Sequence, residues 1–184
     1  MITAMSSMKR IVATIVVAAL VFTASALVVI AQQSPATGRE TLGQALKGAW
    51  LPLESGLIVS STQGTPLSAK YEIADGAFQL SVYTVKADAS AGDAFMEVIV
   101  DYSAGTIARV ETITDGGDLA AARDQQMTLA AAKRTLETAT AAVVKANAGY
   151  RAVSVMPAMN NGRPIAEVLL LNGTDWKAVS EPLD

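Results

Sequence analysis

The chain contains no cysteine and no histidine. Without cysteine, neither a disulfide framework nor a thiolate metal site can form, so stability has to come from packing. Without histidine, the Ser-His-Asp triad, the usual zinc ligands and the commonest general base are excluded together. Asp115 and Asp118 flank two glycines, but their spacing is not that of an EF-hand loop and is typical of a turn. The sequence therefore predicts a protein that is not an enzyme and that uses no cofactor and no metal.

The chain also lacks an excess of positive charge, with 14 basic and 17 acidic residues. A nucleic-acid-binding protein needs a basic surface, so the prediction is that nucleic acid is not a partner. The length of 184 residues suffices for one ordinary domain or for two small units that share a core.

The one long apolar run lies near the start of the chain. Lys9 and Arg10 precede an almost unbroken apolar stretch at 11–31, and polar residues return at Gln32. The basic start, the apolar run and the small residue Ala31 are typical of a signal peptide cut before Gln32. The run also approaches the roughly 20 residues that span a bilayer, so a retained membrane anchor stays open. Residues 1–31 thus predict one of two locations. A cleaved signal peptide gives a periplasmic or secreted protein, and a retained anchor gives a protein held in the inner membrane and facing outward.

Residues 128–184 predict one helix followed by three strands. Apolar residues recur at steps of three and four through 128–148, which indicates a helix with Thr128 as its N-cap and Gly149 at its end. Strand-like patterns then cover 150–159, 163–171 and 175–181, and both intervening turns carry Asn-Gly, the pair suited to a type I′ hairpin.

Residues 51–113 predict a looser copy of the same unit. A short helix behind Pro52 is followed by four strands with turns at Asp75-Gly76, at 87–93 and at 103–105. Residues 32–50 are predicted to be a linker and a weak helix, and residues 114–127 a second linker. Two glycines and one aromatic residue at the boundaries of elements in the second copy have counterparts in the first copy, which indicates a tandem repeat. These pairs are Gly149 with Gly64, Gly162 with Gly76, and Trp176 with Phe95.

Two segments carry a resemblance to a known family. The run from Phe95 through Val100-Asp101 to Gly105 and Ile107 resembles the strand ending of PepSY domains, and 128–148 with Asn161 to Val168 resembles their helix and central hairpin. The second copy departs from the pattern because it ends at Asp184 without the glycine turn and last strand. The resemblance implies an α+β fold of two PepSY-like units in tandem, each a helix on an antiparallel three- to four-stranded meander, behind an N-terminal hydrophobic helix.

The same resemblance implies a function. PepSY units occur in propeptides of secreted metallopeptidases and in bacterial envelope proteins, so it implies an exported, non-enzymatic module that binds a protein or peptide and inhibits or regulates a peptidase. It supplies no catalytic residue. The alternative from the apolar run is a membrane-anchored structural or assembly factor of the cell envelope, with membrane contact only through that segment. The sequence does not specify an oligomeric state.

One face of the predicted sheet is the candidate binding surface. If Phe78, Leu80 and Val82 point toward the helices, the alternate positions form a second face that is too apolar to meet water freely. Either the sister unit, a copy of the chain, or an extended peptide or protein then covers it. The candidate partner-binding residues on this face are Tyr83, Phe95, Glu97, Glu167 and Trp176.

Overall fold

The computed structural model, which describes residues 36–87 and 92–184, contains one seven-stranded antiparallel sheet in the order β4-β3-β2-β1-β5-β6-β7. The α+β class is confirmed, and each half contributes an antiparallel meander. The described residues form one unit, and the predicted signal peptide or anchor at 1–31 lies outside them. The elements are α1 Ala36–Leu46, α2 Leu53–Ser60, β1 Thr65–Ala74, β2 Ala77–Lys86, β3 Ala94–Asp101, β4 Thr106–Thr112, α3 Gly116–Ala130, α4 Leu136–Ala146, β5 Arg151–Asn160, β6 Arg163–Asn172 and β7 Asp175–Pro182.

Helices α2 and α4 cover one face of the sheet, called here the inner face. Leu57 of α2 and Val143 of α4 are almost completely buried against strand residues such as Leu80, Val82 and Val155. Burying a side chain of this size contributes about 1.5–3 kcal/mol, so this layer is the main source of stability. Among the described residues, no helix is long and apolar enough to cross a membrane.

The predicted helix over 128–148 is wrong at its start. Thr128 lies in the last turn of α3, where its hydroxyl donates to the carbonyl of Asp124, and the N-cap of α4 is Thr135. Between the two helices, the amides of Lys133 and Arg134 donate to the carbonyl of Leu183 at 2.6 and 2.9 Å. The break therefore follows from tertiary contacts, which take the chain from α3 on one face of the sheet to α4 on the other.

Helix α3 packs on the opposite face of the sheet, called here the outer face. The segment 114–127 was predicted to be a linker, but Asp115 caps a helix there by accepting hydrogen bonds from the amides of Gly117 and Asp118. Ala122 of α3 belongs to a small buried cluster with strand residues that include Phe95. Strand residues alternate between the two faces, so this cluster lies on the side away from α2 and α4.

The turns of the two halves repeat the same backbone geometry. Asp75 and Gly76 have φ angles of 51° and 78°, and Asn161 and Gly162 have φ angles of 50° and 77°. Positive φ at both central residues defines the type I′ turn, which Asp-Gly and Asn-Gly favour. The predicted turns that join β1 to β2 and β5 to β6 are therefore confirmed.

The pairing between the halves has the register of a local two-fold axis. Ala69 of β1 pairs with Val155 of β5, and these residues are 86 positions apart (155 − 69), as are Gly76 and Gly162 (162 − 76). Each first strand also has a register shift just before this pair, between Pro66 and Ser68 in one half and at residues 152–154 in the other. Equivalent positions of the two halves thus meet at the centre of the sheet.

Candidate functional site

The five residues predicted for the second face all alternate away from the inner face, but they differ in how far they are covered. Phe95 is only 4% exposed beneath α3, where it belongs to the small cluster with Leu67, Val85 and Ala122. Trp176 is half-buried, with the guanidinium of Arg39 from α1 at 5.6 Å from its ring centroid. Internal packing therefore occupies both of these aromatic residues.

The other three predicted residues lie on the outer face and stay partly exposed, and Tyr83 packs against the edge of the small cluster beneath α3. Tyr83, Glu97 and Glu167 are half-buried. They line a surface, called here the open strip, that crosses the sheet from β3 to β6. We define the open strip by Lys70, Glu72, Tyr83, Glu97, Met156 and Glu167.

One half of the open strip is a connected polar cluster. Lys70 Nζ lies 2.7 Å from Glu72 Oε2 and 5.5 Å from the centroid of the Tyr83 ring. The hydroxyl of Ser81 donates to Glu72 Oε1 at 2.7 Å, and Gln79 Nε2 donates to the same hydroxyl at 2.9 Å. These contacts hold the side chains in place, so this half presents a fixed ammonium group and a fixed phenol ring.

Electrostatics within the cluster keep Lys70 charged. Burial works to lower the pKa of Lys70, but the hydrogen bond to Glu72 and the negative charges nearby outweigh it, so the pKa lies above its usual value. Burial raises the pKa of Tyr83, an effect that Lys70 partly offsets. At neutral pH the cluster therefore holds an ammonium group beside a neutral phenol.

The other half of the open strip holds a carboxylate without a partner. Glu167 makes no hydrogen bond and no ion pair with any residue of the part that the structure describes. Burial raises the pKa of its carboxyl group above the usual value. Its cross-strand neighbour on β5 is Met156, which is 38% exposed. A half-buried anion thus stands beside an exposed flexible apolar side chain.

Two carboxylates of the strip, those of Glu97 and Glu167, have no partner among the described residues, and they are too far apart for joint acid-base chemistry. Glu97 on β3 and Glu167 on β6 are separated by four inter-strand steps, which amounts to about 19 Å. Paired catalytic carboxyl groups in glycoside hydrolases stand about 5–10 Å apart. The described residues also contain no group of three or more acidic side chains that could hold a metal ion.

A cleft elsewhere on the protein is a weaker candidate for the functional site than the open strip. An open cleft of about 500 Å³ lies between the end of α2 and the start of α4, and its charged side chains are Lys86 and Glu137. It contains none of the residues predicted for the candidate site. The open strip is therefore the better candidate.

Comparison of the chain with protein-family models, with curated proteins and with solved structures finds no match in any of the three. The case for a function therefore rests on the residues of the open strip and on the organisation of the sheet.

Three residues of the open strip were missed by the sequence analysis. Lys70 and Glu72 alternate with Ala69 and Tyr71 along β1, and this pattern was sufficient to assign them to the outer face. Met156 gave a weaker signal, because the irregular register at the start of β5 interrupts the alternation on which such an assignment depends.

Proposed function

We propose that the chain is an exported protein, built from two PepSY-like units, that acts by binding a protein or peptide through the open strip. The specific role we propose is the regulation or inhibition of a secreted or envelope peptidase. The proposal places the protein in the periplasm or outside the cell and assigns it no catalytic activity. The resemblance of 95–107, and of 128–148 with 161–168, to PepSY domains supports the family, and the repeated turns and register support a duplicated unit.

The observation that carries the binding proposal is the unpartnered carboxylate of Glu167. A charged group that is partly removed from water without a partner costs free energy, and a cation from a bound molecule would offset that cost. Exposed Met156 beside it supplies an adaptable apolar contact, and the phenol of Tyr83 supplies an amphipathic one. We infer a partner segment that carries a basic side chain flanked by apolar residues.

The test is affinity capture from the envelope of the native host, with the exported chain as bait. We expect a partner that binds at least tenfold more weakly to Glu167→Gln or Tyr83→Ala than to the unchanged chain, because each substitution removes a contact that the partner makes on binding. The matched control is Glu54→Gln, since Glu54 lies on α2 on the opposite side of the sheet. A partner that binds all four chains equally would contradict the proposed site.

Two further measurements test the role and the location. The activity of a captured peptidase, measured with and without the chain, distinguishes regulation from simple association. N-terminal sequencing of the protein from its host distinguishes the exported form from the alternative, a membrane-anchored structural or assembly factor. A first residue at or near Gln32 supports the exported form, and a retained 1–31 segment supports the anchor.

A further inference from the structure

Strand β4 lies at one edge of the sheet, and among the described strands it pairs only with β3. All of its residues except Ile107 are exposed, including Val110 at 39%. An edge strand presents unpaired amide and carbonyl groups, and natural proteins protect it with charged side chains, especially lysine, with proline, with β-bulges or with covering segments. Strand β4 has charges at Arg109 and Glu111 and a register shift at Ala108, but it has neither lysine nor proline.

The opposite edge strand, β7, carries such protection. It contains Lys177 and Pro182, and Glu181 forms an ion pair with Arg134 at 2.7 Å. Just beyond it, the carbonyl of Leu183 accepts hydrogen bonds from two amides of the segment between α3 and α4. The contrast between the two edges indicates that β4 is the edge available for pairing.

The hydrogen bonds between β4 and β3 show which backbone groups of β4 point away from β3, toward the free edge of the sheet. The amide of Ile113 donates to the carbonyl of Phe95 at 2.9 Å, and the register of β3 with β4 continues this pairing through Glu111 and Arg109. Bonding to one neighbour alternates along an antiparallel strand. The amide and carbonyl groups of Val110 and Thr112 therefore point away from β3.

We propose that two copies of the chain pair through β4 about a two-fold axis at Val110, which makes one continuous antiparallel sheet. In this pairing the backbone amide and carbonyl groups of Val110 form hydrogen bonds with those of Val110 in the second copy. Arg109 then lies opposite Glu111 of the second copy. Arg109 and Glu111 then form a non-hydrogen-bonded pair, the kind in which opposing side chains lie closer.

The charges select this register over its neighbours. A shift by one pairing step in one direction places Arg109 opposite Arg109, and a shift in the other direction places Glu111 opposite Glu111. Like charges directly opposite each other destabilise a sheet, and opposite charges stabilise it. Within one chain, Arg109 Nε lies 2.8 Å from Glu111 Oε1, and both side chains are more than half exposed. They are therefore free to exchange partners across the axis.

The occupant inferred from this arrangement is a second copy of the chain, because the pattern Arg109-Val110-Glu111 is complementary to itself when reversed. Pairing of Val110 with its symmetry mate supplies two backbone hydrogen bonds and one apolar contact between valines, and the register shift at Ala108 interrupts regular pairing beyond it. Such an interface is small, so we expect dissociation in the range of about 10–100 µM. This inference does not depend on the proposed binding function.

The first test measures the mass of the protein, purified from its host as exported, by light scattering up to about 500 µM. We expect R109E and E111R each to weaken dimerisation at least tenfold, because each places like charges opposite each other at two symmetric positions. The double variant R109E/E111R restores both pairs and should dimerise like the unchanged chain. Failure of that rescue, or a mass that neither single variant changes, would overturn the proposal.

The second test uses the absence of cysteine in the chain. In V110C the two thiols meet at the axis, where a hydrogen-bonded pair has its α-carbons about 5.5 Å apart, within the range for a disulfide. In the control T112C the thiols are four residues out of register, about 14 Å apart. We expect mild oxidation to produce dimers of V110C and not of T112C. A chain that stays monomeric in both tests, including one whose own residues 1–35 occupy the β4 edge, would overturn the proposal.

Discussion

The substitution Phe95→Ala tests whether α3 is docked on the outer face as the structure has it. Phe95 is 4% exposed, and it packs in a small cluster with Leu67, Val85 and Ala122. Removing a fully packed phenylalanine side chain costs about 3–5 kcal/mol. The cluster is bordered by half-buried side chains such as Leu119, which can relax into part of the space. We therefore expect the lower end of that range, about 3 kcal/mol.

This loss should appear as a lower melting temperature. For a unit of about 150 residues, each kcal/mol shifts Tm by about 2–4 °C, so we expect a decrease of about 6–12 °C. Circular dichroism or calorimetry measures it, and Phe95→Leu is the matched control because it keeps most of the volume. A decrease below about 2 °C for Phe95→Ala would refute the docking of α3, and the part of the outer face that α3 covers would then be open to partners.

Two further predictions concern single positions. Gly64 has φ +154°, and a β-carbon there would lie 2.5 Å from the carbonyl oxygen of Val85, whereas at Gly76, with φ +78°, it would meet open space. Gly64→Ala should therefore lower the free energy of unfolding by about 3 kcal/mol or more in chemical denaturation, and Gly76→Ala by only about 1 kcal/mol; equal losses would contradict this. Because burial raises the pKa of Glu167, its contribution to stability is fully present below about pH 4.5, the unfolded value, and is lost as pH rises through the folded pKa. Glu167→Gln should thus be slightly more stable than the unchanged chain at pH 7 and equal to it below pH 4.5, and a gain of the same size at both pH values would contradict the assignment.

Local signals were sufficient to predict most of the strands and their turns. Asp75-Gly76 and Asn161-Gly162 adopt the type I′ geometry that their composition favours. The last hairpin differs, because Asn172 pairs with Asp175 inside the ladder and only Gly173 has a positive φ, at 62°. One residue of positive φ at the first central position is typical of a type II′ turn, so the predicted turn was displaced by one residue.

Features that depend on contacts distant in the sequence could not be predicted. The alanine-rich segment that became α3 has no apolar stripe that distinguishes a helix from a linker, and its only strong local signal is the cap at Asp115. The break before Thr135 follows from hydrogen bonds to Leu183, far along the chain. Pairing of β1 with β5 also joins distant segments, and no local pattern specifies it.

The candidate site was predicted in part for the same reason. Alternation along β2, β3 and β6 correctly assigned Tyr83, Glu97 and Glu167 to one face. It gave no information on the helices that cover Phe95 and Trp176, since neither α3 nor the contact between Arg39 and Trp176 was expected. A sequence pattern therefore identifies the members of a face, but tertiary packing decides which of them stay open.

The open strip lies where the two halves of the sheet meet. Lys70 of β1 pairs with Ser154 of β5, so the centre of the strip is the junction between the two halves. Ala69 also pairs with Val155 at this junction, and α2 and α4 join the halves on the inner face through residues of one core cluster. The halves are therefore held together on both faces, by α2 and α4 on the inner face and by α3, which contacts β1 and β5, on the outer face. Neither half alone would have a strip with the ammonium of Lys70 on one side and the unpartnered carboxylate of Glu167 on the other.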